Sequence, residues 1–109
     1  MNTRIDALLH LVNTGRDSAV LRFGLAQALF NDERHLEAIE HLRAAVVFDG
    51  GYSAAWKLLG KAHIANDDWQ AAQHAYQQGM DAAQANGDQQ AVKEMAVFLK
   101  RIAKRTGIL

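Results

Sequence analysis

A chain of 109 residues, half of them hydrophobic and 22% charged, is long enough for one domain with a modest core and too apolar to stay disordered. Its twelve basic and twelve acidic residues cancel, which argues against a nucleic-acid partner attracted by overall charge. The absence of cysteine excludes disulfides, residues 1–15 lack the features of a signal peptide, and no apolar run approaches the roughly 20 residues of a membrane span. We therefore expect a cytoplasmic domain without a membrane partner.

Apolar residues recur at helical spacing through nearly the whole chain. Segments rich in Asn, Asp or Gly, which cap helices and turn the chain, interrupt this spacing at 13–17, 31–34, 49–53, 66–68 and 85–88. The pattern predicts six helices, at about residues 3–13, 18–30, 34–48, 53–65, 69–84 and 89–105. Ser18 and Ser53 stand at the starts of the second and fourth helices, where we expect each hydroxyl to accept a backbone N–H.

The second and third helices match the fourth and fifth after a shift of 34 residues. The matched pairs are Leu25 with Leu59, Ala26 with Gly60, Ala38 with Ala72, Leu42 with Tyr76 and Ala45 with Gly79. Small residues such as Gly60 and Ala72 allow two helix backbones to approach closely where they cross, while Trp56 and Tyr76 fill the space around them. The shift therefore predicts two copies of one helix–turn–helix unit.

The second copy carries the spacing W-x2-L-G, followed by an Ala and by an aromatic residue four positions later. The residues concerned are Trp56, Leu59, Gly60, Ala72 and Tyr76. A 34-residue helix–turn–helix unit with this pattern resembles the tetratricopeptide repeat (TPR), here as a small bacterial-type domain with about two repeats plus flanking helices. The chain departs from the family pattern at His63, where a Tyr is usual, and near Gly50 and Gln84, where a Pro is usual.

The resemblance implies an all-α fold, in which antiparallel helix-turn-helix repeats stack as a right-handed TPR-like superhelix of about six helices. The expected single domain, 1–109, divides into an N-terminal capping helix (1–17), repeat 1 (18–52), repeat 2 (53–86) and a C-terminal capping helix (87–109). A shift of 36 places Val92 on Trp56 and Met95 on Leu59, so the last helix resembles the first helix of a repeat. Its lysines supply the polar outer face that a terminal repeat needs.

In this family the first helix of each repeat lines a concave groove that binds extended peptides or helices. The candidate peptide-binding residues that the resemblance implies are Phe23, Gln27, Phe30, Lys57, Lys61, Ile64, Lys93, Val97, Lys100 and Arg101. One end of this groove is apolar and aromatic, and the other carries up to five positive charges, which favour an anionic ligand. We expect a peptide with a hydrophobic anchor at one end and acidic residues, or a free C-terminus, at the other.

Other interpretations of the same residues remain open. The lysines of the last helix could be only a solvated face near a helix C-terminus, and Phe23 and Phe30 could be covered by the first or third helix. Self-association through a patch of Val20, Phe23 and Phe30 would give a weak homodimer rather than a monomer. Nucleic-acid binding by the basic C-terminal helix is a third option, although that helix offers few aromatic residues for stacking. The lysine–asparagine–arginine clamp of chaperone-binding members is not expected, because Phe23 and Leu58 occupy two of its positions.

No residue pattern indicates an enzyme, a cofactor or a metal. The carboxylates of Glu33 and Glu37 lie on the exposed face of a helix, whereas acid–base catalysis needs a cleft. His35 and His41 are six residues apart, which differs from the four-residue spacing of a helical zinc pair. His63 replaces an aromatic packing residue, so we expect a buried histidine there. The sequence predicts a non-catalytic adaptor or scaffold that binds a protein or peptide and needs no cofactor.

Overall fold

The computed structural model describes residues 2–107, and residues 1, 108 and 109 of the predicted caps lie outside this range. All regular secondary structure in the described part of the chain is helical. The helices are α1 (Thr3–Asn13), α2 (Ala19–Asn31), α3 (His35–Phe48), α4 (Ser53–Ala65), α5 (Trp69–Ala85) and α6 (Gln89–Arg105). Each end lies within one residue of the predicted end, so the prediction of six helices is confirmed.

Short polar side chains begin four of the helices. The side chains of Asn2, Ser18, Asp68 and Asp88 each accept the backbone N–H of the residue three positions later. The prediction for Ser53 is wrong: Tyr52 occupies the cap position of α4, and no side chain forms a capping hydrogen bond there. The cause is the preceding turn, in which the N–H of Tyr52 donates to the carbonyl of Asp49, so that Ser53 is already the first helical residue.

The turn between the two helices of a repeat is built in the same way in both repeats. Glu33 follows α2 with φ of 61° and Asp67 follows α4 with φ of 59°. In both places the next residue donates its N–H to a carbonyl five positions earlier, Arg34 to Leu29 and Asp68 to His63. The 34-residue period therefore extends to the backbone conformation of the turns.

The helices pack in chain order, each against the next, and α2 also contacts α4. Leu25, Leu29 and Leu42 are fully buried in the core that α1 to α5 share. Met95 and Ile102 of α6 are fully buried in a second cluster with α5. The last helix is therefore attached to the stack by its own set of apolar contacts.

The crossing of α4 and α5 requires a glycine at position 60. A Cβ built on Gly60 would lie 2.6 Å from Cζ of Tyr76, well inside van der Waals contact. The same Tyr76 ring is fully buried and stacks on Phe98 of α6, with ring centroids 4.9 Å apart and an interplanar angle of 7°. The expectation that Gly60 lets the helices approach is confirmed, and the group that approaches it is an aromatic ring.

His63 is buried, as the sequence indicates, with 5% of its surface exposed. Burial lowers its pKa, and the nearby charges of Asp68 and Arg43 act in opposite directions on it. Burial also lowers the pKa of His41, and the adjacent Arg22 guanidinium, whose Nη1 lies 2.9 Å from Nδ1, lowers it further. Both imidazoles are thus harder to protonate in the folded chain than in the unfolded one.

The two histidines are expected to make stability fall in mild acid. Since the folded pKa of each lies below the ordinary value of about 6.5, the unfolded chain binds protons first as the pH drops through that value. The free energy of unfolding should be constant near neutral pH and decline as the pH falls below about 6.5. Urea denaturation at a series of pH values measures this decline, and His63→Tyr should make it shallower. An unchanged slope in that variant would contradict the assignment to His63.

Candidate functional site

The candidate site is the surface to which α2, α4 and α6 contribute the ten predicted residues, and we call it the groove face. Lys57 and Lys61 of α4 both reach side chains of α6, so α4 and α6 are neighbours on this surface. A pocket of about 140 Å³ lies between the starts of these two helices and includes Ala54, Lys57 and Glu94. The groove face therefore includes a small pocket between α4 and α6.

Lys57 is held in an ion pair that the sequence pattern does not predict. Its Nζ donates to Oε2 of Glu94 at 2.8 Å, and both side chains remain about one-third exposed. Glu94 offsets the charge of Lys57. The net positive charge at this end of the groove face is therefore smaller than the five charges that the sequence predicts. The sequence contains a sign of this pair. The 36-residue shift aligns Lys57 of α4 with Lys93 of α6, and Glu94 is the residue next to Lys93.

Lys61 and Arg101 lie over a shared aromatic ring. The Nζ of Lys61 is 5.7 Å from the centroid of Phe98, and Cζ of Arg101 is 5.6 Å from it. Both distances fall within the range of a cation–π interaction, and neither cation forms an ion pair with another residue between 2 and 107. Phe98 is half-buried and stacked on Tyr76, so it supports both cations from below. We call Lys61, Arg101 and Phe98 the cation cluster.

The other predicted residues of α6 are more exposed. Val97 is 49% exposed, and Lys93 and Lys100 are exposed without an ion pair to any residue in the described range. At about 100° per residue, Lys93 and Lys100 are turned roughly 80–100° around α6 from Arg101. They therefore contribute charge at the margin of the groove face and do not extend the cation cluster.

The aromatic end of the groove face is partly covered. Phe23 is half-buried, and its ring centroid lies 5.1 Å from that of Tyr52, the residue that caps α4. Phe30 is half-buried and meets the ring of His35, at the start of α3, edge to face. Gln27, between them on α2, is exposed, whereas Ile64 of α4 packs against the core. Tyr52, which is not among the ten predicted residues, thus shapes this end of the surface.

Within residues 2–107, no three His, Cys, Asp or Glu side chains are grouped so as to hold a metal ion. None of the helices in the same range is long and apolar enough to cross a membrane.

Comparison with known proteins identifies the fold. No family model matches the chain. It is 44% identical over 98 residues to TPR repeat-containing protein PA0015 of Pseudomonas aeruginosa, and the match covers 90% of this chain and 93% of that protein. The chain belongs to the tetratricopeptide repeat family. Protein BPP2914 from Bordetella parapertussis, whose solution structure is known, is 41% identical with a TM-score of 0.83 over 99% of this chain and 94% of that one.

Other TPR structures agree with the predicted all-α stack. The Sgt2 TPR domain from Aspergillus fumigatus is 28% identical, with a TM-score of 0.80 over 96% of this chain and 69% of that one. The first TPR of Spaghetti (RPAP3), bound to the HSP90 peptide SRMEEVD, has a TM-score of 0.78 over 94% of this chain and 77% of that one, at 20% identity, and shows the shared fold. The heat-shock protein cognate co-chaperone sgt12 of A. fumigatus is 37% identical over 68 residues, which are 62% of this chain and 20% of that protein. The expected TPR fold is confirmed.

Proposed function

We propose that this TPR domain is a non-catalytic adaptor that binds a peptide or protein segment on the groove face. Its relatives support the general role, because they include a co-chaperone and a TPR domain with a bound peptide. The division into caps (1–17 and 87–109) and repeats (18–52 and 53–86), and the cytoplasmic location, remain predictions.

The cation cluster is the observation that carries the proposed ligand chemistry. Lys61 and Arg101 share the Phe98 ring and have no carboxylate partner in the described chain, whereas the charge of Lys57 is already offset by Glu94. Two cations gathered on one aromatic ring, neither of them offset by a carboxylate of the described chain, attract the carboxylates of a ligand. We therefore assign acidic residues of the ligand to Lys61 and Arg101, and its hydrophobic anchor to the surface near Phe23.

Two alternatives gain less support from the same residues. The first is self-association through Val20, Phe23 and Phe30. Only Val20 of these three side chains is strongly exposed, at 71%, and the two phenylalanines are half-buried, so the patch offers little apolar surface. Nucleic-acid binding by α6 would need a free aromatic face, and Phe98 is occupied by Tyr76 and the two cations.

The proposal predicts that charge reversal in the cation cluster weakens the binding of acidic peptides. Two synthetic peptides with the same apolar half are compared, one with Asp and Glu in the other half and one with Asn and Gln. The wild-type chain should prefer the acidic peptide, and added salt should weaken this preference. The double variant Lys61→Glu/Arg101→Glu should lose about tenfold or more in affinity for it, as measured by fluorescence anisotropy.

Two further variants make this experiment specific. Arg4→Glu, on the exposed surface of α1, changes the net charge in the same direction as each single reversal and should leave the affinity unchanged. Lys57→Glu should lose less affinity than Lys61→Glu, because in this proposal the ligand carboxylates contact Lys61 and Arg101, whereas Lys57 is held by Glu94. Equal binding of the two peptides, or equal losses in Arg4→Glu and Lys61→Glu, would show that the cation cluster does not recognise an acidic segment.

A further inference from the structure

A row of exposed side chains runs along α3, outside the groove face. Leu36 and Val47 are 67% and 85% exposed, and Glu40 and Arg43, which lie between them, are exposed as well. At about 100° per residue, these four positions fall within about 60° of the helix circumference. Leu36, Glu40, Arg43 and Val47, which we call the α3 row, therefore form one straight stripe with apolar ends and a charged centre.

The α3 row borders two depressions in the described part of the molecule. A groove of about 590 Å³ lies between α3 and α5, with Arg43 and Val47 on its α3 side and His63 in its floor. A neighbouring depression of about 500 Å³ continues from Arg43 to Leu36. Val47 and Leu36 therefore lie at the edges of these two depressions, on a surface that is open to a partner protein.

The two charged side chains at the centre of the α3 row form no ion pair with any residue between 2 and 107. The ion pairs among residues 2–107 join Arg22 with Asp17, Arg34 with Asp32 and Glu37, and Lys57 with Glu94. Glu40 and Arg43 take part in none of them. Both charges are thus available to a second molecule.

The order of the side chains in the α3 row selects the partner and its direction. The midpoint between Leu36 and Val47 falls between His41 and Leu42. The midpoint between Glu40 and Arg43 falls at the same place. When a second α3 packs antiparallel across this point, Leu36 meets Val47 of the second copy and Glu40 meets its Arg43, and the symmetric contacts form as well. A parallel arrangement would place each charge against the same charge.

We propose that the α3 row is the interface of a two-fold symmetric homodimer in which two α3 helices pack antiparallel. Such an isologous interface needs one self-complementary patch, which the α3 row supplies. One helix of 14 residues is about 21 Å long and buries less area than a standard interface, so the dimer should be weak. The groove face stays open in both copies, and the dimer would offer two peptide sites to a partner that carries two binding segments.

A charge swap tests this interface. Sedimentation equilibrium of the wild-type chain should show a monomer–dimer equilibrium with a dissociation constant between about 10 μM and 1 mM. Glu40→Arg alone and Arg43→Glu alone each replace two attractive pairs by two repulsive ones and should raise this constant about tenfold. The combined variant Glu40→Arg/Arg43→Glu restores opposite charges and should return the constant to within about threefold of the wild-type value.

A matched control separates this effect from net charge. Arg4→Glu, an exposed reversal on α1, should leave the equilibrium unchanged, and circular dichroism should show that all variants keep their helix content. A wild-type chain that remains monomeric at about 1 mM overturns the proposal. Failure of the combined variant to recover the dimer also overturns it, because the antiparallel pairing of Glu40 with Arg43 is then absent. None of these outcomes depends on the peptide ligand of the groove face.

Discussion

Gly60→Ala is expected to lower the free energy of unfolding by about 1–3 kcal/mol, although alanine is a better helix former than glycine. The added methyl group would lie 2.6 to 2.8 Å from three atoms of the Tyr76 ring. This ring is fully buried and stacked on Phe98, so it cannot move without disturbing α6. Urea denaturation followed by circular dichroism measures the loss.

Gly24→Ala is the matched control for this prediction. Gly24 lies inside α2, and a Cβ built there meets no atom within 4 Å. The substitution should raise the free energy of unfolding by about 0.5–1 kcal/mol, because only helix propensity changes. Opposite signs for the two glycines are expected. A gain in stability for Gly60→Ala would mean that α4 and α5 are further apart than described.

Met95→Ala is expected to cost about 2–5 kcal/mol and to loosen α6 more than the rest of the stack. Met95 of α6 is fully buried against α5, and its Sδ would lie 2.5 Å from a Cβ built on Gly79. In a stack of repeats each unit is stabilised mainly by its neighbour, so a cavity at the α5–α6 contact should act on the last helix first. Amide hydrogen exchange should therefore accelerate in α6 by a larger factor than in α2 and α3.

Val97→Ala serves as the control, since Val97 lies on the same helix and is half-exposed. Its effect should stay within about 0.5 kcal/mol. Met95→Ala should also weaken peptide binding, because α6 carries Phe98 and Arg101 of the cation cluster. Equal acceleration of exchange in all helices would show instead that the stack unfolds as one unit and that α6 has no separate stability.

The helix boundaries could be predicted because their causes are local. Caps such as Ser18 and Asp88 act within three residues of themselves, and the apolar spacing of each helix is visible in a short window. Ser53 shows where this reasoning fails. Its position resembles that of a cap residue, but the turn formed by Asp49 and Tyr52 makes Tyr52 the cap and Ser53 the first helical residue. Which of the two residues caps the helix depends on the backbone path into α4.

The candidate site was only partly predictable. The family alignment placed Lys61 and Arg101 on one surface, because first helices of successive repeats lie side by side, and in the structure both side chains lie over Phe98. It could not show that Glu94 pairs with Lys57 or that Phe98 lies beneath both cations. The Lys57–Glu94 and Lys61–Phe98 contacts each join residues 37 positions apart in the chain, and a shift of one position in the packing of α4 against α6 would change both of them.

The sequence by itself determined the six helices, their 34-residue period and the small residues at the helix crossings, since each follows from local spacing and side-chain size. The tertiary structure decided which charges remain available: Lys57 is offset by Glu94, Lys61 and Arg101 share Phe98, and Glu40 and Arg43 stay unpaired in residues 2–107. The physical reason is range. Helix formation depends on neighbours within about four residues, whereas charge pairing depends on which faces the packed helices bring within a few ångströms.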